Sequence, residues 1–439
     1  MDVINRRNFL VRSGLALGTA LIASEVPSLS RSGALAATPS RSLDWQAVRD
    51  QFPLSRDLIH LAGFFLASHP TPVREAIERH RRGLDADPIG YWLAHEKEQE
   101  AAVLRAAADY LGVSPTDIAL TDSTTMGLGL LYGGLALQQD QEILTTTHDH
   151  YSTDVSLRLR AERTGATVRR ISLYEELSTI SRESLVKKLV GQVRVHTRIV
   201  AVTWVHSSTG LKLPIAEMAK ALENINAARA EKDRIIFCVD GVHALGVEDF
   251  RLSDLGCDFF VAGTHKWMFG PRGTGFVWGH ERAWPFANAI IPTFHSDAYD
   301  MWMRVIPPRP LPKAIYMTPG GFHSFEHRWA LDQAFVFHQA IGKPRVTQRI
   351  HDLNDHLKQG LAKMQHVTLR TPLSRDLSAG IVCFEVAGLE PDQVVRRLRE
   401  RGIVASVTPY ATQYARVAPG VLNSPEEIET VLKAIDELK

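Results

Sequence analysis

From Ile118 to about Trp278 the apolar residues come in short runs: "EILTTT", "ATVRRISL", "RIVAVTWV", "RIIFCVDG", "DFFVAG" and "GTGFVWG". Stretches with helical spacing, such as "PIAEMAKALENINAARAEK", separate them. Runs this short and apolar predict strands, and strands alternating with helices predict βαβ units and a mostly parallel sheet. Before this region, residues 40–115 read as helical. "TPVREAIERHRRG" has Pro72 at a helix start and Gly83 at its end, and "HEKEQEAAVLRAAADYLG" is a second amphipathic helix. After about residue 324 long helices give way to short strands and helices, ending in "SPEEIETVLKAIDEL", where Ser424 and Glu427 have capping-box spacing. The predicted organisation is therefore α/β. A large domain spans 116–323 and a smaller α+β domain 324–439, with the helical segment 40–115 joining the small one. "PPRPLP", residues 307–312, reads as a surface loop, and no internal repeat is visible.

The first residues have a different pattern. Arg6-Arg7 precede Phe9-Leu10, a short apolar run "LALGTALIA" follows, and Ala34-Leu35-Ala36 closes the segment. That order is a secretory signal over residues 1–36, cleaved after Ala36, and the arginine pair is of the twin-arginine kind. Twin-arginine transport carries folded cargo, often already loaded with a cofactor. The expectation is a mature periplasmic protein that meets the twin-arginine translocase during export and has no stable membrane insertion afterwards.

Composition narrows the function classes. The chain has 439 residues, with 45% hydrophobic and 23% charged, as in ordinary globular proteins. A net charge of +1 without a basic stripe argues against nucleic acid as a partner. Three cysteines cannot form a disulfide framework, and Cys238, Cys257 and Cys383 read as core thiols.

Four stretches carry candidate chemistry, and a parallel α/β sheet would gather them beyond the carboxyl ends of its strands. In "TDSTTMGLG", Ser123, Thr124 and Thr125 open a helix whose free N–H groups favour a phosphate, though a plain helix cap reads the same way. In "CVDGVHALG" an apolar strand ends on Asp240, with His243 three residues on. A carboxylate there needs a partner: a protonated ring nitrogen, a salt bridge or a helix cap. In "FFVAGTHKWMFGPRGTG", 26 residues after Asp240, Lys266 breaks an apolar run. In "THDHYSTD", His148 and His150 flank Asp149 and in a strand would share one face, but no third ligand accompanies them and no metal is expected. Lysine, acid and phosphate donors together fit pyridoxal 5'-phosphate. The lysine forms a Schiff base, and the acid keeps the ring nitrogen protonated so that the ring accepts electrons. Desolvation beside a cationic group makes the lysine a usable nucleophile and base.

"VDGVHALG", "AGTHKWMFGPRGTGFVWG" and "ARVAPGVLNSPEEIETVLKAI" resemble, in family order, the class V aminotransferase family of fold type I, over roughly residues 50–439. The resemblance implies a homodimer with sites at the interface. It also implies roles. Lys266 would be the Schiff-base lysine and Asp240 the partner of the pyridine nitrogen. His150, within one position of Tyr151, would stack on the ring, and His243 and Ser207 would lie near the phenolic oxygen. Thr124, Thr125 and His265 would bind phosphate. "TPGG", with Thr318 and Gly320, would reach the phosphate of the partner subunit, and Arg416 would clamp the substrate α-carboxylate. No cysteine sits in a mobile loop, and Ala405 or Ser406 stands where desulfurases have a second arginine. The resemblance therefore points away from desulfuration and to the epimerase-like branch. Among exported members it points to enzymes that tailor the glutamate cap of a siderophore peptide.

Overall fold

A computed structural model of the chain describes residues 44–438. The expected signal segment lies outside the described residues. Among those residues, no helix is long and apolar enough to cross a membrane.

The strands, in chain order, are β1 (Ile59–His60), β2 (Ile118–Thr121), β3 (Glu142–Thr146), β4 (Thr167–Ile171), β5 (Thr197–Thr203), β6 (Ile236–Asp240), β7 (Phe259–Gly263), β8 (Gly275–Gly279), β9 (Val367–Leu369), β10 (Val382–Val386), β11 (Ile403–Val404), β12 (Ser406–Val407) and β13 (Ala415–Val417). Seven form one sheet in the order β2-β8-β7-β6-β5-β3-β4. Only β8 runs against its neighbours β2 and β7. The central strands alternate between two cores. Leu144, Val200, Val202, Phe237, Val239 and Phe260 face one layer, while Ile143, Ile199, Ala201, Ile236, Cys238 and Phe259 face the other. Period-2 alternation with helices on both faces explains why these strands read as continuous apolar runs.

The small domain is an antiparallel sheet, β12-β13-β10-β9. Its core takes residues from Leu353 onward, and helices Lys343–Leu361 and Pro425–Asp436 contribute to it. The capping box is formed: Ser424 Oγ accepts from Glu427 N, and a Glu427 carboxylate oxygen from Ser424 N, each at 3.2 Å. The N-terminal segment divides. β1 pairs in parallel with β11, and Leu61 enters the small-domain core. Helices Thr71–Ala86 and Pro88–Leu111 instead send Val73, Val103, Ala107 and Leu111 into the large-domain core beside Phe335.

Gly83 does not end its helix, which runs on to Ala86. A Cβ at residue 83 would lie 2.2 Å from the Tyr91 ring, so the glycine serves close packing rather than termination. The 307–312 loop is largely exposed, and all three cysteines are free and buried.

Candidate active site

The carboxyl ends of β3, β5, β6 and β7 lie side by side, and each delivers a side chain. β6 ends on Asp240, which is 2% exposed and accepts from Val242 N at 3.2 Å. Burial pushes its carboxyl up to about 6. Such an acid is held ready for a cationic partner. The turn after β6 carries His243, and the loop after β7 carries Lys266. The Lys266 Nζ lies 3.1 Å from His243 Nε2. Burial draws the lysine down to about 8, against the Asp240 carboxylate, which holds it up. His243 is held well below its ordinary value, first by burial and then by the Lys266 charge. Its Nδ1 is buried without a partner. A neutral imidazole beside a half-neutral amine suits a lysine that must attack a carbonyl and later move a proton.

The lysine is braced from behind. Trp267 is 5% exposed, and its carbonyl accepts from His338 Nε2 at 2.8 Å. The loop is closed at its base, with Gly270 N donating to Thr264 O at 2.8 Å and Thr264 N to Thr274 O at 3.1 Å.

Helix Thr124–Gly134 begins beside β7. Ser123 is its N-cap, accepting from Met126 N at 3.1 Å. Thr124 Oγ1 accepts from Gly263 N at 2.8 Å, which leaves its hydroxyl hydrogen to donate. Thr125 Oγ1 meets Ser152 Oγ at 2.9 Å. A Cβ on Gly127 would come 2.7 Å from Val261, so glycine there lets the helix close on β7. The His265 ring lies against Gly263, beside Thr124. Hydroxyls, first-turn amides and an imidazole thus converge at one helix N-terminus, an arrangement that favours a phosphate.

The turn after β3 separates the two histidines that a strand would have put on one face. His148 stacks on Tyr174 at 4.0 Å and accepts from Leu173 N at 3.2 Å. His150 caps helix Tyr151–Thr164 and feels the charges of Lys266 and Arg416. Tyr151 is 72% exposed, so His150 is the residue that faces the site. Asp149 is consumed by structure, accepting from Thr145, Thr146 and Thr203.

The small domain supplies Arg416 from β13. Its Nε donates to Ser406 Oγ at 3.1 Å, one terminal nitrogen to Ser207 O at 2.9 Å and the other to Val407 O at 3.4 Å. A guanidinium has five N–H groups, so two are left for a ligand. Phe64 lies 4.5 Å beneath the guanidinium. Ser207 Oγ meets the Tyr410 hydroxyl at 2.7 Å.

Thr318 and Gly320, expected at the phosphate of a partner subunit, lie outside this cluster. The Thr318 hydroxyl accepts from Leu120 N at 3.1 Å and donates to Ala314 O at 3.2 Å, and Gly320 N donates to Pro292 O at 2.8 Å. Two residues that no motif singled out join it: Phe64, in a loop expected to contribute to specificity, and Tyr410. Phe64 stands in "GFFLASHP", and Tyr410 in a loop without periodicity.

The sequence model of aminotransferase class-V matches residues 93–409, well over half of the chain. The chain belongs to the class V aminotransferase family. Isopenicillin N epimerase of Streptomyces clavuligerus is 28% identical over 407 residues, covering 90% of this chain and 98% of its own. A probable cysteine desulfurase of Halalkalibacterium halodurans is 26% identical over 345 residues, covering 74% and 78%. Among solved structures, a C-DES mutant with glycine covalently linked to the PLP cofactor superposes with a TM-score of 0.79 at 22% identity, over 89% of this chain and 99% of that one. The apo cysteine desulfurase of Thermococcus onnurineus NA1 gives 0.74 at 21%, over 90% and 97%. The fold is that of fold type I pyridoxal phosphate enzymes, and this member of the class V aminotransferase family is a PLP-dependent enzyme. Its residues fit the cofactor: a desolvated lysine, a buried acid in reach of a cation, and a donor-rich helix N-terminus.

Proposed function

We propose that this enzyme acts in the periplasm on the glutamate that caps a pyoverdine-type siderophore precursor and converts it to succinamide. The observation that carries the reading is the pairing of Lys266 with the two open N–H groups of Arg416 at one site. A glutamate attached through its side chain keeps a free α-amino and α-carboxyl group, and these two sites match them. The exported character of residues 1–36 supports the location.

When bound, the cofactor supplies an aldehyde for the substrate amine and an electron-accepting ring. Asp240 holds the positive charge of the ring nitrogen. Arg416 fixes the carboxylate, and so selects which bond of the α-carbon stands ready to break. Lys266 would hold the aldehyde, and its Nζ would take up or return a proton. The overall change takes up one dioxygen, releases carbon dioxide and water, and leaves the cap as a primary amide. Phe65, Leu66, Ile89, Leu93 and Phe322 are exposed apolar residues, which supports a homodimer as the working form.

A second reading is favoured by the epimerase relative matched along 90% of the chain. In that case the enzyme is an epimerase, aminotransferase or lyase for a free or peptide-linked amino acid, and Lys266 moves only the α-proton. The mass of a glutamate-capped precursor, incubated in air with purified enzyme or with Lys266→Ala, tests both. Mass loss matching amide formation, absent in the variant, supports the first reading. Unchanged mass with α-proton exchange in deuterium oxide replaces it with the second.

A further inference from the structure

Tyr410 has no role in the reading above, yet its phenol is directed into the site. It lies in the loop between β12 and β13, and its hydroxyl oxygen is 2.7 Å from Ser207 Oγ, at the end of the large sheet. Its ring stands edge-on to His150, with centroids 6.3 Å apart and planes at 82°. Arg416, in the neighbouring strand, bonds the carbonyl of the same Ser207. Residue 207 is thus held twice by the small domain, once through its backbone and once through its hydroxyl.

The chemistry of the cofactor says what lies opposite. In pyridoxal phosphate the ring nitrogen is para to the aldehyde carbon, with the phosphate arm on one flank and the phenolic oxygen on the other. Asp240 would take the nitrogen, Lys266 the aldehyde carbon, and the helix opening at Thr124 the phosphate. The remaining flank belongs to His243, Ser207, Tyr410 and Arg416. A serine hydroxyl has one hydrogen to give. Its direction is set by whichever neighbour donates to the serine oxygen.

We propose that Tyr410 is a positioning residue that acts through Ser207: its phenolic O–H donates to Ser207 Oγ and thereby turns the serine hydrogen toward the phenolic oxygen of the cofactor. Burial raises the phenol to about 12, so Tyr410 keeps its proton and remains a donor throughout the working range. A hydrogen bond to the phenolic oxygen stabilises its anion and lowers the pH at which the bound chromophore loses its proton. The proposal rests on the cofactor and not on the substrate, so it stands or falls separately from the siderophore reading.

The test is the pH titration of the visible absorption band of the holoenzyme, without substrate, in wild type, Tyr410→Phe, Ser207→Ala and the double variant. Tyr410→Phe removes one oxygen and keeps the ring, and a melting curve of each holoenzyme verifies the fold. The expected result is an upward shift of the midpoint by roughly 0.5 to 1 unit in Tyr410→Phe, the size of one hydrogen bond. Ser207→Ala shifts it as much or more, and the double variant goes no further than Ser207→Ala. Two outcomes overturn the proposal. In one, Tyr410→Phe titrates like wild type while Ser207→Ala shifts. In the other, the two shifts add in the double variant, which would mean that Tyr410 acts on its own.

Discussion

The two halves of the site are built differently. Asp240, His243 and Lys266 stand at the ends of adjacent central strands, between two hydrophobic layers. Arg416 and Tyr410 stand on and beside a short antiparallel pair of another domain, whose strand β12 has only two residues. The first half would hold the cofactor, through buried groups whose proton affinities burial displaces. The second half would meet both the substrate, through Arg416, and the cofactor, through Tyr410 and Ser207, with donors whose charge state does not change near neutrality. The first half rests on the central sheet between two cores, and the second on strands of the small-domain core.

Substitutions on each side should separate these roles. The largest effect is expected from Lys266→Ala, which removes nucleophile and proton carrier together. Turnover should fall by at least about 10³-fold, and borohydride should no longer fix the cofactor to the chain, as mass spectrometry would reveal. Next comes Asp240→Asn. Loss of the charge that holds the ring nitrogen protonated should cost roughly 10²- to 10³-fold in kcat. Because Asp240 also holds the lysine up, the amine of that variant should titrate below about 8. An unchanged kcat would remove Asp240 from the cofactor side.

Arg416→Lys tests the other half. It retains the charge but loses the planar fork, so kcat/KM should drop by roughly 10- to 100-fold, mostly through KM. A fall in kcat alone would place the arginine with the chemistry and blur the division.

A smaller effect concerns the brace behind Lys266. His338 is buried, and burial holds it near 4, against 6.5 when free. The unfolded chain therefore binds the extra proton between those values. Stability that is complete above about pH 6.5 is lost as the pH falls toward 4. His338→Gln, which can still donate to the Trp267 carbonyl, should flatten the fall of the melting temperature across that window. The smallest expected effect is Ser424→Ala, far from the site, at about 1 kcal/mol of stability with kcat unaltered.

Much of the cofactor half was legible in the residues, because a charged side chain closing an apolar run is costly without a partner. Asp240 and Lys266 announce themselves this way, and the mostly parallel sheet follows from strands alternating with helices. The small-domain half was less legible. Tyr410 meets Ser207 across 203 positions of sequence, and a tyrosine in a short irregular loop has no period to betray the contact. Gly83 was taken for a helix end because composition does not reveal that the Tyr91 ring needs the space. His148 and His150 looked like a pair because alternation was assumed to continue past Thr146, where the strand stops.

The antiparallel strand β8 has one more consequence. β7 and β8 are neighbours in the sheet, so the loop between them returns at once, and Lys266 sits on a closed arch instead of a lead-in to a helix. The arch is anchored by the ladder on both legs. Changes at Phe64, beneath the Arg416 guanidinium, can reshape what the site admits while the arch keeps the amine in place. The molecule is thus divided into a fixed reactive point and an adjustable rim, and new substrates can be sought by rewriting the rim alone.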